Sequence, residues 1–211
     1  MAESPGSSHE QFHPLVDQWF RDTFGSPTPV QTAAWESIAG GSHCLITAPT
    51  GTGKTLAAFL TALDRLICGS SGRVLYISPL KALNYDIERN LKHPLQELRH
   101  RFAKAGEPFP EIRVGVRSGD TDQSERRRLI THPPDILITT PESLNLMLSS
   151  RNGLRGLEGF NTVILDEIHA VLSSKRGTYL MSGVERLVSI SGEFQRVGLS
   201  ATVRPMARAA E

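Results

Sequence analysis

Apolar residues recur at Phe12, Leu15, Val16, Trp19, Phe20 and Phe24, the three-and-four spacing of an amphipathic helix running from Gln11 to Phe24. Gly25-Ser26-Pro27 ends it. Thr28 as cap and Pro29 in the first turn predict a second helix to Ala39, stopped by Gly40-Gly41. The pattern then changes to short runs, several of them apolar throughout. Cys44-Leu45-Ile46, Arg73 to Ile77, Glu111 to Val116, Asp135 to Ile138, Thr162 to Leu165 and Arg196 to Leu199 read as strands. Between them the helical period returns over Thr55 to Ile67, from Leu80 onward with a break or restart near Pro94, over Thr121 to Thr131, and over Leu180 to Ile190.

Strands without a polar face, alternating with helices, indicate an α/β fold: a parallel β-sheet with helices on both faces. In such a sheet ligands gather at the carboxyl ends of the strands. The exit loops collected there are Ala48 to Thr55, Ser78-Pro79, Ser118-Gly119-Asp120, Thr140-Pro141, Asp166-Glu167 and Ser200-Ala201-Thr202.

Composition narrows the class without naming it. With 211 residues, 39% hydrophobic and 21% charged, the chain can bury one substantial core, so residues 11–211 are expected to form a single domain after a flexible stretch 1–10. A net charge of +1 is neutral evidence about nucleic acid, because a basic face can sit on a balanced protein. Cys44 and Cys68 lack metal-ligand spacing, and no stretch approaches the roughly 20 apolar residues of a membrane span. A signal peptide is not evident at the Ser/Gly-rich start, so a cytoplasmic protein with reduced thiols is expected.

The chemistry is concentrated in Ala48-Pro49-Thr50-Gly51-Thr52-Gly53-Lys54-Thr55, set between a strand and a helix. Glycines let successive N–H groups approach an anion, and the helix N-terminus adds its own free donors. Lys54 would reach the outer phosphates and Thr55 ligate magnesium. Ala48 stands where such loops usually open with glycine. Across the pattern, Asp166 and Glu167 follow the most hydrophobic strand; Asp166 is placed for a magnesium shell and Glu167 for polarising an attacking water. Gln31 admits two accounts, a capping-box residue three positions after Thr28 or an amide that reads an adenine edge beside Phe24. Arg126-Arg127-Arg128 reads as a solvated helix face.

The order Ala48 to Thr55, Asp166-Glu167-Ile168-His169, Ser200-Ala201-Thr202 resembles the first RecA-like domain of a superfamily-two helicase of the DEAD/DEAH type. Ser78 to Leu83, Ser118 to Thr121, Thr140 to Leu144, Ser174 to Gly177 and Gly198 to Val203 look like its large-helicase-related (Lhr) branch. The resemblance implies a RecA-like P-loop NTPase that binds ATP and Mg2+ through Thr50, Gly51, Thr52, Gly53, Lys54 and Thr55. It also implies Gln31 and Phe24 on the adenine, Asp166 on magnesium, and Lys54 and Glu167 in catalysis. His169, Ser200 and Thr202 would couple nucleotide state to strand grip, although His169 also fits a plain edge position. Pro79, Lys81, Gly119, Asp120, Thr140 and Pro141 would line the nucleic-acid face. Two of these stretches are helix starts that offer N–H groups to phosphates without regard to base.

The same resemblance implies a second RecA-like domain supplying arginines across the nucleotide, worth roughly 10³ to 10⁵ in rate. The residues after Thr202 leave no room for one, so a fragment of a longer motor is expected, nearly inactive in ATP hydrolysis and unwinding by itself. Single-stranded DNA is the expected partner, with an RNA helicase of the same superfamily, a self-contained phosphotransferase and a non-hydrolysing nucleotide module as alternatives.

Overall fold

The computed structural model describes residues 12–70, 72–79, 81–171 and 174–201, and within 81–90 the backbone alone. Six strands form one sheet: β1 (Cys44–Thr47), β2 (Arg73–Ile77), β3 (Val114–Arg117), β4 (Ile136–Thr139), β5 (Phe160–Leu165) and β6 (Gln195–Ser200). Their order is β1-β6-β5-β2-β4-β3, and every pairing is parallel. The helices are α1 (Pro14–Phe24), α2 (Pro29–Ala39), α3 (Lys54–Ile67), α4 (Lys81–Ala105), α5 (Gln123–Thr131), α6 (Pro141–Leu148), α7 (Arg151–Gly156) and α8 (Lys175–Ser191).

Successive strand residues point to opposite faces, and each face has its own core. Val74, Tyr76, Ile138, Ile164 and Val197 pack with α1, α2, α3 and α4. Leu75, Ile77, Leu137, Val163 and Leu165 pack with α6, α8 and Leu129 of α5. The unbroken apolar strands of the sequence follow from this, since neither face meets water.

On the α1–α4 face, Trp35 is 1% exposed, sits edge-on to Phe12 and Phe20 at 5.0 and 5.2 Å, and donates its indole N–H to the Ala57 carbonyl at 3.1 Å. It holds α1 and α2 against α3, the helix that follows the phosphate loop. Trp35→Ala is expected to cost about 3–5 kcal/mol of unfolding free energy by urea titration, from the cavity it leaves.

Four expected boundaries are corrected. The α4 helix runs through Pro94 without a break, because Leu91, Leu95, Leu98 and Phe102 form one buried stripe that spans the proline and keeps both halves on the sheet. The β3 strand begins at Val114 rather than Glu111. The α5 helix starts at Gln123, since Asp122 and not Thr121 caps it, accepting from the Glu125 N–H at 2.9 Å. The α8 helix begins five residues before Leu180, at Lys175. The Gln11 end of the first helix lies outside the described residues; α1 opens on Pro14, capped by His13. Among the described residues no helix is long and apolar enough to cross a membrane.

Candidate nucleotide site and strand face

The phosphate loop leaves the carboxyl end of β1, the outermost strand on one side of the sheet. Gly51 and Gly53 both take φ +83°, left-handed backbone that glycine adopts without the penalty of a side chain. Ala48 is absent from the positive-φ positions, which explains why alanine serves where such loops usually open with glycine. Lys54 is 7% exposed and donates from Nζ to the carbonyl of Pro49 at 2.8 Å, and also to that of Ala48. Thr52 Oγ1 donates to the Pro49 carbonyl at 2.8 Å, tightening the turn.

Gln31 forms the capping box of the first account given of it. Its Oε1 accepts from the Thr28 N–H at 2.9 Å while its own N–H donates to Thr28 Oγ1 at 3.3 Å, a complete capping box. The other side of the amide lies on the phosphate loop, so close that a Cβ on Gly53 would meet Nε2 at 2.3 Å. Thr28 Oγ1 adds a bond to the Thr52 carbonyl at 3.1 Å. The start of α2 is therefore fastened to the loop. Phe24, four residues earlier, is 51% exposed and braced by Trp19 and Phe20 at 5.6 and 5.3 Å. An exposed, braced ring is of a kind that can stack on a planar base.

The acidic pair stands two strands away. In register, Thr47 of β1 pairs with Ser200 of β6, and Gly198 of β6 pairs with Leu165 of β5. At the usual strand spacing the tips of β1 and β5 are about 10 Å apart, with Ser200 between them. Ala48 N–H donates to the Ser200 carbonyl at 3.3 Å, which joins the loop to that intervening strand.

Asp166 is 5% exposed, and both carboxylate oxygens are held: Oδ1 accepts from the Glu167 N–H at 2.8 Å and Oδ2 from the Tyr76 hydroxyl. Burial, with the Asp166 charge next, pushes the Tyr76 hydroxyl far above its ordinary pKa, so it remains a donor. Glu167 has φ +52° and is the single non-glycine residue with positive φ among those described. Its carboxylate meets His169, whose Nε2 lies 3.1 Å from Oε2. His169 Nδ1 accepts from the Ala201 N–H at 3.1 Å. One ring thus joins the acidic turn to the end of β6. Ser200 is 1% exposed, with its hydroxyl on the Ala201 carbonyl at 2.8 Å. Thr202 lies outside the described residues.

The expected strand-face residues occupy the same sheet edge. Thr140 is 1% exposed and caps α6 through Ser143 N–H at 3.3 Å, with Pro141 in the first turn. Gly119 and Asp120 form an exposed turn after β3. Pro79 is buried and Lys81 opens α4, its side chain outside the described residues.

Sequence reasoning missed several residues that shape this edge. Arg176 donates to Glu142 Oε1 at 2.8 Å and to the Pro79 carbonyl at 2.9 Å, tying the loop after β2 to the start of α6. Arg126 turns back to the Gly119 carbonyl at 2.8 Å instead of facing solvent with Arg127 and Arg128. Tyr76 was visible as the lone phenol in an aliphatic strand, Val74-Leu75-Tyr76-Ile77, a signal for a buried polar partner. A groove of ≈ 530 Å³ between α6 and α8, lined by Pro141, Leu146, Arg176 and Tyr179, includes none of the phosphate-loop or acidic-pair residues.

A glycine-rich loop tied to Gln31 and an acidic pair that a histidine links to the neighbouring strand thus leave the same sheet edge. Comparison with known families agrees: the model described as "DEAD/DEAH box helicase" matches residues 28–209. The chain belongs to the DEAD/DEAH box helicase family. It is 51% identical over 201 residues to "Lhr helicase/ probable uracil glycosylase" of Mycolicibacterium smegmatis, covering 92% of this chain and 13% of that protein. The structure of Mycobacterium smegmatis helicase Lhr bound to ssDNA and AMP-PNP superposes with a TM-score of 0.93 at 50% identity, covering 97% of this chain and 27% of that one. DEAD-box helicase Mss116, bound to ssRNA and UDP-BeF, shares the RecA-like fold at a TM-score of 0.79, with 19% identity over 99% of this chain and 43% of its own. The chain therefore spans a minor part of each relative it matches.

Proposed function

We propose that this chain is the ATP-binding domain of an ATP-driven helicase or translocase that acts on single-stranded DNA, the DNA contacts lying along the carboxyl edge of the sheet. The observation that carries the proposal is the set of contacts that joins the phosphate loop to the end of β6 and the end of β6 to the acidic turn. Gln31 touches Gly53, Ala48 is bonded to Ser200, and His169 bridges Glu167 and Ala201. Similarity at 50% identity to a helicase solved with ssDNA and AMP-PNP supports the choice of ligands.

The residues fit a magnesium nucleotide. Two left-handed glycines open the loop backbone, with nothing within 4 Å of where a Gly51 Cβ would stand. Thr55 in the first turn of α3 and the buried Asp166 would hold the ion, an economical set that suits magnesium, which keeps water and phosphate oxygens as its other ligands. Among the described residues no three His, Cys, Asp or Glu are grouped to cage a metal, in keeping with that mode. When bound, magnesium neutralises charge on the phosphates.

The chain's own groups divide the remaining work. Lys54 would exchange the Ala48 and Pro49 carbonyls for phosphate oxygens; Gln31 Nε2 and the Phe24 ring would meet the base. Glu167 would take a proton from the attacking water. Because Glu167 Oε2 also contacts His169, a change at the phosphate would reach Ala201 through a single side chain. A second RecA-like domain from the longer protein would complete the site with its arginines.

ATP turnover by the parent protein, measured with single-stranded DNA, with RNA and with neither, tests the proposal. Stimulation by DNA is expected. Stimulation by RNA alone moves the substrate to RNA, and indifference to both overturns the motor assignment.

A further inference from the structure

We propose that Tyr76 is a positioning residue for the metal shell, fixing the Asp166 carboxylate to the helix that carries Thr55; the proposal rests on the nucleotide-site assignment above. Three contacts define the device. The Tyr76 hydroxyl donates to Asp166 Oδ2, and the Tyr76 ring lies stacked on Phe59 at 4.9 Å between centroids and 22° between planes. Phe59 is four residues after Thr55 on α3, one turn along the same helix face. The ring is fully buried in the middle of β2, which pairs with β5 directly below Asp166, at Ile77 and Leu165.

Physical reasoning separates this role from plain packing. A buried carboxylate with an unsatisfied oxygen is costly, so aliphatic surroundings alone would favour its rotation toward water. Tyr76 takes one oxygen and the Glu167 N–H takes the other, which fixes the carboxylate plane before any ion arrives. Each oxygen keeps a further lone pair with which it can meet an ion. Hydrogen bonds to ligating carboxylates act in this way on metal affinity. Since the ring also stacks on Phe59, a movement of α3 and its phosphate loop carries the Asp166 partner with it.

The test is the Mg2+ dependence of nucleotide binding, read with fluorescent ADP rather than by turnover. Tyr76→Phe keeps the ring and its stacking and removes only the hydroxyl. The Mg2+ concentration at half-maximal enhancement of ADP binding is expected to rise about 10-fold. ADP affinity in EDTA should stay at the wild-type value. In an Asp166→Asn background the same substitution should produce no further shift, because the hydroxyl acts through that carboxylate. An unchanged Mg2+ midpoint overturns the proposal, and so does an equal loss of ADP affinity with and without Mg2+, which would make Tyr76 a packing residue. If wild-type ADP binding is itself blind to Mg2+, the nucleotide-site assignment fails first and takes this one with it.

Discussion

Glu167→Gln in the parent protein is expected to lower strand-stimulated ATP turnover by about 10² to 10⁴-fold while leaving ATP affinity within a factor of two or so. The amide is the same size as the acid and can still accept from His169 Nε2 through its oxygen, so the link from this turn to Ala201 survives. What disappears is the ability to take a proton from water. The substitution therefore separates chemistry from coupling: strand binding promoted by AMP-PNP should persist although turnover stops. A variant retaining more than a tenth of wild-type turnover would remove Glu167 from the role of base. Replacing His169 instead leaves the carboxylate in place and should weaken strand stimulation more than basal turnover.

The second large effect is expected at Gly53. Gly53→Ala places a methyl group at φ +83°, a backbone conformation that costs an L-residue about 1–2 kcal/mol, and sets it 2.3 Å from Gln31 Nε2 and 3.0 Å from its Cδ. Relief requires the Gln31 side chain to move, which breaks the box with Thr28 and costs about 0.5–2 kcal/mol more. The loop can escape both penalties only by abandoning the conformation in which its N–H groups converge. ADP affinity should fall about 10- to 100-fold by fluorescence titration, consistent with those two costs together. Gly51→Ala supplies the control. It has the same φ but meets nothing within 4 Å, so only the backbone penalty applies and the loss should be distinctly smaller. Equal losses at the two positions would show that the Gln31 contact has no energetic weight.

Both predictions turn on contacts between segments far apart in sequence, and they mark where inference from residues stopped. The P-loop was legible because each residue type in Gly51 to Thr55 answers a local demand: left-handed backbone, a cation, a hydroxyl at a helix start. The apolar runs fixed the strands and their parallel arrangement for the same reason, since a strand buried on both faces admits no polar alternation. The box between Thr28 and Gln31 was also readable, spanning only three residues.

Local pattern failed where a partner lay elsewhere in the fold. Pro94 should interrupt α4 on local grounds, yet a buried stripe from Leu91 to Phe102 holds the helix straight across it. Arg126 belonged by sequence to a solvated run, and only the fold offers it the Gly119 carbonyl. Strand order was decided in the same way. Nothing along the chain announces that β6, the last strand described, lies between β1 and β5 and so sets Ser200 between the phosphate loop and the acidic pair. The sequence alone thus determined which chemical groups this protein has and that they share one sheet edge. Tertiary structure decided which of them touch, with Tyr76 on Asp166, Gln31 on Gly53 and His169 on Ala201, because contacts across the sheet depend on strand order and register, and these are settled by packing both faces at once.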